Sequence, residues 1–499
     1  MPISKEMLSV LNYSLAALVG SFGIAIALMT VERGPWFDEF ITIAWTTPST
    51  SPREFLHLMI TRDTHPILYY GMVYLLQAAG VTDIALLRSI NLLGLPLVIF
   101  AVAYVFRHKS IILSQALMVW ILFASSPIFF ELFAELRCYF LLYAASIATS
   151  ILWYVLMRHI DAGQNVTTTM ISIWGACLAI FLNLHYFATI LGGMLTTVLL
   201  MRLAIRRLWS QALVIAGVSL VAAAPALILG TLQAFSMPKG LMSWINTSPI
   251  ESIKLSVWMV WVAAAINLVA LASATFRFLS ILKDWIKWVE VRTAVILLGV
   301  VALLLCVLVL ANAITPLIVD RYLIAGAGAV TFAVAVLAAS SGAPVWLPAA
   351  TGAIALLLQA QTLRSNLVID EQRGWLPSAR AVALLNSKCP TTKIFAYPAY
   401  NYTNGMNDIS IGLKINPISY GYYAKRFHFS YEDLRPGATI VASGPCPSVI
   451  WIEHQVVFFE ANPDADAEQV LNEFQISKIG VAEMKRYGIY GGVVIVVRK

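Results

Sequence analysis

The sequence predicts a polytopic α-helical membrane protein with a small α/β domain outside the membrane. Hydrophobic residues make up 60% of the 499 residues, charged residues only 12%, and the mean hydropathy is +0.79. A soluble domain contains about 25% charged residues, so this composition excludes an ordinary soluble protein. Long apolar runs fill the chain as far as Gln361, and short β-branched and aromatic runs separated by Gly, Pro and Asn follow it.

Eleven apolar runs in the chain have the length of a membrane-spanning helix, about 17 to 25 residues. They cover residues 8–29, 84–106, 111–129, 138–157, 168–184, 186–204, 210–230, 253–274, 293–311, 322–340 and 345–361. The first run lacks a clear small-residue cleavage site, which favours a first span over a signal peptide. A shorter run, Pro66 to Ala79, predicts an interfacial or re-entrant helix. With an odd number of spans, the two ends of the chain lie on opposite sides of the membrane.

Basic residues indicate the orientation of these spans. They cluster in every second connection, at 107–109, 158–159, 202–207 and 277–292. The positive-inside rule therefore predicts a cytoplasmic N-terminus, and the size of the chain favours a bacterial inner membrane. We predict a transmembrane domain over 1–361, with a long first outer loop at 31–83, and an extracytoplasmic domain over 362–499.

The region after Gln361 predicts both helix and strand. Trp375, Ala379, Val382 and Leu385 follow one another at helical spacing, which indicates an amphipathic helix. The stretches KIFAYPAY, ATIVAS, SVIWI and YGGVVIVV are typical of short strands.

The cysteines fall into two groups. Three lie in apolar spans, where a Cys is usually a small buried hydrophobe, whereas Cys389 and Cys446 lie in the polar C-terminal region. A disulfide between these two forms if the region faces an oxidising compartment. No CxxC motif or Cys/His cluster indicates zinc.

The first outer loop carries four candidate functional residues. The stretch GPWFDEFIT contains Asp38 and Glu39, and RDTHPILYY contains Asp63 and His65. An ionisable residue close to a membrane is costly and therefore indicates function. For Glu39 alone, a solvated charge is the better explanation. Asp38 follows two aromatic residues that favour the headgroup level, which makes a merely solvated charge a weaker explanation.

A second candidate stretch is FFELFAELRCYFLL. Glu131, Glu135 and Cys138 or Tyr139 recur at spacings of three to four, so on a helix the two carboxylates would share one face. Arg137 lies among them and has two equally good interpretations. It neutralises Glu135, or its planar fork of donors binds a phosphate at the membrane surface.

Two further candidates lie at the outer ends of predicted spans. His185 stands in NLHYF, where a structural histidine is more common than a catalytic one. Asp320, Arg321 and Tyr322 stand in ITPLIVDRYLI, where Arg and Tyr also serve as interfacial anchors and Asp320 can pair with Arg321. The sequence has no Walker loop, no GxGxxG motif and no GxSxG motif, so we expect no nucleotide or redox cofactor and no nucleic-acid partner.

Taken in order, these motifs resemble the C-type glycosyltransferases. WFDE after the first span, D-x-HP-x-LYY, E-x-R-x-Y, HYF and RYL are most similar to the branch of protein O-mannosyltransferases and lipid A aminoarabinose and galacturonic acid transferases. The resemblance covers about residues 1–361. One departure is HPILYY, where many members have a second proline after the histidine. The resemblance implies the C-type glycosyltransferase fold and transfer of a sugar from a polyprenyl-phosphate carrier to an acceptor outside the membrane.

The resemblance also implies roles for these residues. Asp38 matches the family's first acidic position and is expected to be the catalytic base of an inverting transfer. Asp63 matches the second, and it would position the acceptor, orient Asp38, or bind a divalent cation such as Mg or Mn together with Asp38. Arg137, Arg321 and Lys239 are the candidates for the donor phosphate. The sugar pocket would be lined by Glu39, His65, Glu135, Tyr139, His185 and Tyr322.

Three alternatives stay open. A lipid or solute transporter or flippase of the cell envelope would explain many spans, but it predicts ionisable residues near the middle of the membrane. An envelope assembly factor would use the loop carboxylates only for structure. A polymerase or ligase that moves oligosaccharides has the same motif order. The sequence does not distinguish a lipid A or glycolipid, a glycan and a protein hydroxyl as the acceptor.

Overall fold

A computed structural model describes most of the chain. The described residues are 5–31, 33–107, 111–236, 245, 247–264, 268–284, 289–340, 343–370, 375–397, 409–435, 440, 445–452, 481–487 and 492–497. They form two compact units. The first comprises Met1–Val31, Ser51–Pro238 and Ile245–Leu363, and the described residues of the second fall within Glu32–Thr50 and Arg364–Lys499.

The described part of the chain is mainly helical. Its helices are α1 (Lys5–Thr30), α2 (Phe37–Thr46), α3 (Pro52–Thr61), α4 (Ile67–Ala78), α5 (Ile84–Arg88), α6 (Gly94–Arg107), α7 (Leu113–Ala124), α8 (Pro127–Phe133), α9 (Tyr139–Asp161), α10 (Thr168–Leu182), α11 (Tyr186–Ile205), α12 (Trp209–Ser236), α13 (Pro249–Ala264), α14 (Leu268–Asp284), α15 (Val289–Ile314), α16 (Ile324–Ala338), α17 (Leu347–Asp370), α18 (Leu376–Lys388) and α19 (Ile409–Phe427). Short 3₁₀ helices cover Ser89–Leu93 and Asp320–Leu323.

The predicted fold class, a multi-pass helical membrane protein with a small C-terminal sheet, is confirmed. Among the described residues, seven helices are long and apolar enough to cross a membrane, or eight when the bent pair α7 and α8 counts as one span. Every predicted span falls on helix, and the span predicted at 253–274 covers parts of both α13 and α14. The total of eleven spans stays a prediction.

Helix α9 forms the centre of the first unit. It is buried along its whole apolar length and packs against α6, α10, α11, α15 and α16. Its contact with α16 is close because Gly328 lacks a side chain: a Cβ there would lie 2.6 Å from the Cβ of Ser146. Small residues allow such close approach of helices within membranes. The N-terminal end of α9 is thereby held at a defined place, and Tyr139 is its first residue.

The segment before α9 corrects one prediction. Glu131 lies in α8, but α8 ends at Phe133 and Glu135 lies in a non-helical turn. Glu131 and Glu135 therefore do not share a helix face, and the prediction that they do is wrong. The turn is stabilised by Asn91, whose side-chain amide donates to the carbonyls of Phe133 and Glu135.

The second unit contains a mixed sheet. Its described strands are β1 (Lys393–Ala396), β2 (Glu432–Asp433), β3 (Ser448–Ile452), β4 (Val481–Arg486) and β5 (Val493–Val497), in the order β2-β1-β3-β5-β4. Strands β1, β2 and β3 are parallel, and β5 pairs antiparallel with both β3 and β4. The strands predicted at KIFAYPAY, SVIWI and YGGVVIVV are confirmed, whereas β2 and β4 were not predicted. The predicted strand ATIVAS lies outside the described residues except for Ile440.

One further prediction for this unit is confirmed, and one open question is answered. The predicted amphipathic helix is α18, which buries Ala379 and Val382, with Trp375 buried just before it. Cys389 and Cys446 form a disulfide, with a Cα separation of 5.6 Å. Helix α2, from the first outer loop, belongs to this unit and not to the first one.

Candidate functional site

The turn between α3 and α4 holds a buried pair of ionisable side chains, Asp63 and His65. The backbone N–H of His65 donates to Asp63 Oδ1 at 2.8 Å, and His65 Nδ1 lies 2.8 Å from the same oxygen. Both side chains are about as buried as core residues, with exposed fractions of 5% and 3%. Pro66 is the N-cap residue of α4, a position at which its missing backbone N–H costs no helical hydrogen bond.

Arg137 and Tyr70 extend this pair. Tyr70 makes a side-chain hydrogen bond with Asp63, and Arg137 Nη1 donates to the Tyr70 hydroxyl. Burial opposes ionisation of Asp63, but the charges and hydrogen bonds of its neighbours, His65 above all, outweigh burial and hold the pKa of that carboxyl below its usual range. Asp63 is therefore a carboxylate at neutral pH and a weak proton acceptor.

On the other side, His65 reaches the start of α9. Its Nε2 lies 3.3 Å from the Tyr139 hydroxyl. The guanidinium carbon of Arg137 lies 5.9 Å from the centre of the Tyr139 ring, and that of Arg321 lies 5.9 Å from the same ring. Cations attract the face of an aromatic ring at this distance. Tyr139 thus connects the Asp63–His65 pair to two arginines that are far apart in the sequence.

His185 and Tyr322 complete this cluster of rings. The His185 ring lies 5.3 Å from that of His65 and 4.8 Å from that of Tyr322. Its Nδ1 accepts from the backbone N–H of Phe187, so it caps the N-terminus of α11 as a neutral ring. Burial lowers the pKa of His185 well below its usual range, and the charges of Arg137 and Arg321, together with that of His65 when it is protonated, lower it further.

The described residues of the first unit therefore bring together Asp63, His65, Arg137, Tyr139, His185, Arg321 and Tyr322. We call this set the Asp63 cluster. The sequence placed all of them among the candidates, but it did not predict their contacts. Asp320 does not join them, because its carboxylate accepts from the backbone N–H of Arg321 at 2.7 Å and is exposed.

Asp38 and Glu39 lie in the second unit, at the start of α2. Asp38 is the second residue of the helix and has an exposed fraction of 8%. Glu39 is fully buried, and its Oε2 accepts the backbone N–H of Trp36 at 3.2 Å. This bond caps the helix, since it satisfies a donor that has no partner within the helix. Glu39 therefore has a structural task in addition to its predicted place in the pocket.

The remaining candidates have different outcomes. Glu135 is half-buried, and its backbone carbonyl accepts from Asn91. Lys239 lies outside the described residues.

The structure also assigns contacts to two residues that were not among the candidates. Tyr70 connects Arg137 to Asp63, and Gln233 donates to the carbonyls of Met59 and His65 and accepts from Tyr186. Tyr70 lies in the quoted motif LYY, whereas no local pattern marks Gln233.

No group of three or more His, Cys, Asp or Glu side chains within the described parts of the chain has the arrangement of a metal site. Asp63 Oδ1 already receives two hydrogen bonds from His65.

Comparison with solved structures shows that this chain is similar to ArnT from Cupriavidus metallidurans. The apo structure of that protein matches with a TM-score of 0.51 and 11% sequence identity, over 96% of this chain and 97% of that chain. Its structure bound to undecaprenyl phosphate matches with a TM-score of 0.48 and 11% identity, over 98% and 97% of the two chains. No family model and no curated protein matches the sequence. ArnT is a C-type glycosyltransferase, so the predicted resemblance is confirmed at the level of the fold.

Proposed function

We propose that this protein is a membrane glycosyltransferase that moves a sugar from a polyprenyl-phosphate donor to an acceptor on the outer side of the membrane. The observation that carries the proposal is the Asp63 cluster, in which two arginines meet at one tyrosine ring, in a chain with the ArnT fold. ArnT from Cupriavidus metallidurans has been solved with undecaprenyl phosphate, a lipid of the same class as the proposed carrier.

The arginines suit the leaving group of this reaction. When the sugar departs, negative charge develops on the lipid phosphate, and preorganised donors that stabilise this charge accelerate transfer. Arg137 and Arg321 keep their charge at membrane depth and offer several N–H donors each. Both guanidinium carbons lie 5.9 Å from the centre of the Tyr139 ring, so an anion beside that ring would be close to two positive charges. Lys239 is a third candidate on sequence grounds alone.

We assign the catalytic base to Asp38. The acceptor hydroxyl must lose its proton as it attacks the anomeric carbon, and a carboxylate on the opposite side of the sugar from the leaving phosphate would accept it in an inverting reaction. Asp63 is less suited, since its lowered pKa weakens it as a base. Asp63 instead orients His65 and Tyr139, which with Glu39, Glu135, His185 and Tyr322 are the proposed pocket residues. The sugar and the acceptor hydroxyl stay open.

We propose that the N-terminus is cytoplasmic and that the second unit lies on the outer side of an inner membrane. The charge distribution supports this orientation. The Cys389–Cys446 disulfide also supports it, because disulfides persist in oxidising compartments and are rare in the cytosol.

The test is sugar transfer by purified protein in lipid nanodiscs. A panel of labelled polyprenyl-phosphate monosaccharides is the donor, and an envelope lipid extract is the acceptor. Wild type is expected to transfer at least one sugar, and Asp38→Asn is expected to lose about a hundredfold in rate with donor binding retained. Asp83→Asn is the matched control, since Asp83 is exposed and Asn also caps α5.

Two results would contradict the proposal. If wild type binds none of the carriers, the transport and assembly alternatives become the better explanations. If transfer survives in Asp38→Asn, the activity stands but the base is another residue.

A further inference from the structure

The C-terminal part of the chain surrounds the helix that carries Asp38. Phe40, two residues after Asp38, is fully buried. Its ring lies 4.9 Å from that of Trp375, 6.0 Å from that of Tyr422 and 6.1 Å from that of Tyr423. All three partners belong to the region of α18 and α19, more than 300 residues away in the sequence.

These aromatic contacts continue into the sheet. The Trp375 ring lies 5.4 Å from that of Tyr420, and the Tyr420 ring lies 4.7 Å from that of Trp451 on β3. Trp451 also donates from its indole N–H to the Ser378 hydroxyl at 3.1 Å. Aromatic pairs at such distances add about 0.5–1.5 kcal/mol each beyond the burial of their area. The position of α2 is therefore tied to the core of the C-terminal domain.

A second anchor lies just before Asp38. The Tyr423 hydroxyl donates to the carbonyl of Pro35 at 2.8 Å. Gly34 lies beside the same hydroxyl: a Cβ there would stand 2.7 Å from Tyr423 Oη and 3.2 Å from the Cβ of Leu376. The glycine in GPWFDE is thus explained by the close approach of the C-terminal domain to this backbone.

We propose that the C-terminal domain acts as the scaffold of the catalytic helix, with Tyr423 as a positioning residue for Asp38. The inference deepens the proposed function and rests on it. Tyr423 fixes the backbone three residues before Asp38, and the rings around Phe40 fix it two residues after. The first turn of a short helix frays readily, because its N–H groups have no partners within the helix. Anchors on both sides hold the first turn of α2, and with it Asp38, in one position within the second unit.

The experiment compares four variants with wild type in nanodiscs: Tyr423→Phe, Gly34→Ala, the double variant, and Tyr422→Phe as the matched control. Tyr422→Phe also removes a tyrosine hydroxyl, one residue away from Tyr423. Among the hydrogen bonds described, that hydroxyl accepts only from the exposed Arg426 of α19, at 3.5 Å. For each protein, kcat and the donor KM are measured, together with thermal stability and hydrogen exchange of peptides covering residues 33–46.

Tyr423→Phe is expected to lower kcat about tenfold, equivalent to about 1.4 kcal/mol in the barrier. The donor KM and the melting temperature should change little, whereas exchange in 33–46 should become faster. Gly34→Ala should lower kcat further, since its Cβ collides with the Tyr423 hydroxyl. The double variant should recover part of that loss, because the colliding oxygen is absent. Tyr422→Phe should behave as wild type.

The inference is wrong if wild type transfers sugar and Tyr423→Phe retains both the wild-type kcat and wild-type exchange in 33–46. It is also wrong if adding Tyr423→Phe to Gly34→Ala restores none of the lost activity. If wild type transfers nothing, the proposed function fails, and hydrogen exchange alone then decides whether α2 is anchored. Unchanged exchange in Tyr423→Phe would overturn the anchoring as well.

Discussion

The loop at 31–83 contains Asp38 and Asp63, the two proposed catalytic acidic residues, and the structure gives them different surroundings. Asp63 lies in the helical unit, where His65 and Tyr70 bond to its carboxylate and hold its pKa low. Asp38 lies in the other unit, on a short helix whose position depends on aromatic contacts with α18 and α19. The difference indicates a division of tasks. Asp63 organises a hydrogen-bonded cluster, and Asp38 is the carboxylate that we propose as the proton acceptor.

The largest effect is expected for Asp63→Ala. The substitution leaves the His65 N–H groups and the Tyr70 hydroxyl buried without their acceptor, and it removes a negative charge near Arg137. Breaking such a buried charged network costs about 3 kcal/mol. We expect a clear fall in melting temperature and in protein yield, measured in detergent next to Asp83→Asn. If Asp63→Ala were as stable as wild type, Asp63 would not be the organising residue.

A smaller effect is expected for Arg137→Lys, which keeps the charge but loses the planar fork. Affinity for undecaprenyl phosphate should fall about tenfold, or about 1.4 kcal/mol. Arg158→Lys is the matched control, because Arg158 lies over the Tyr154 ring at 5.9 Å near the other end of α9. Equal affinities of both variants for the lipid would remove Arg137 from the proposed phosphate site.

The third prediction concerns pH. Unfolded His185 takes up a proton near pH 6.5, whereas folded His185 stays neutral because its pKa is lowered. The unfolded state then binds more protons, so stability falls as the pH drops below about 6.5, by about 1 kcal/mol at pH 5.5.

The measurement is thermal stability in detergent between pH 7.5 and 5.5, a window in which Asp63 stays ionised. His185→Asn is the comparison, since Asn also caps a helix N-terminus but does not titrate. Its profile should be flatter than that of wild type. Parallel profiles would mean that another group causes the pH dependence.

The smallest effect is expected for Glu39→Gln. Gln retains an oxygen that accepts the Trp36 N–H, so the cap of α2 persists. Melting temperature should be unchanged and transfer should stay within about twofold of wild type, whereas Glu39→Ala should lose about 1 kcal/mol of stability. A large loss of transfer in Glu39→Gln alone would show that the charge of Glu39, and not its cap, is needed.

Much of the candidate site was predicted from sequence because its residues lie in short polar motifs between apolar runs. The motif DTH, for example, supplied Asp63 and His65 as candidates, and the structure shows that they contact each other within one turn. Tyr70, Gln233 and Tyr423 were not among the candidates. Each acts through a partner far away in the chain, such as Arg137 for Tyr70 and Pro35 for Tyr423. The helix face expected for Glu135 failed because contacts with Asn91 favour a turn there.

The sequence by itself determined the class of the protein, most of its helices and the stretches that carry polar groups. Hydropathy and turn preference act over windows of ten to twenty residues, so they can be evaluated along the chain. Only the tertiary structure decided that the loop at 31–83 is divided between two compact units, and that rings from three other segments, those of His65, His185 and Tyr322, meet around Tyr139. Such contacts depend on which helix faces pack together, and this is a property of the whole fold and not of any window within it.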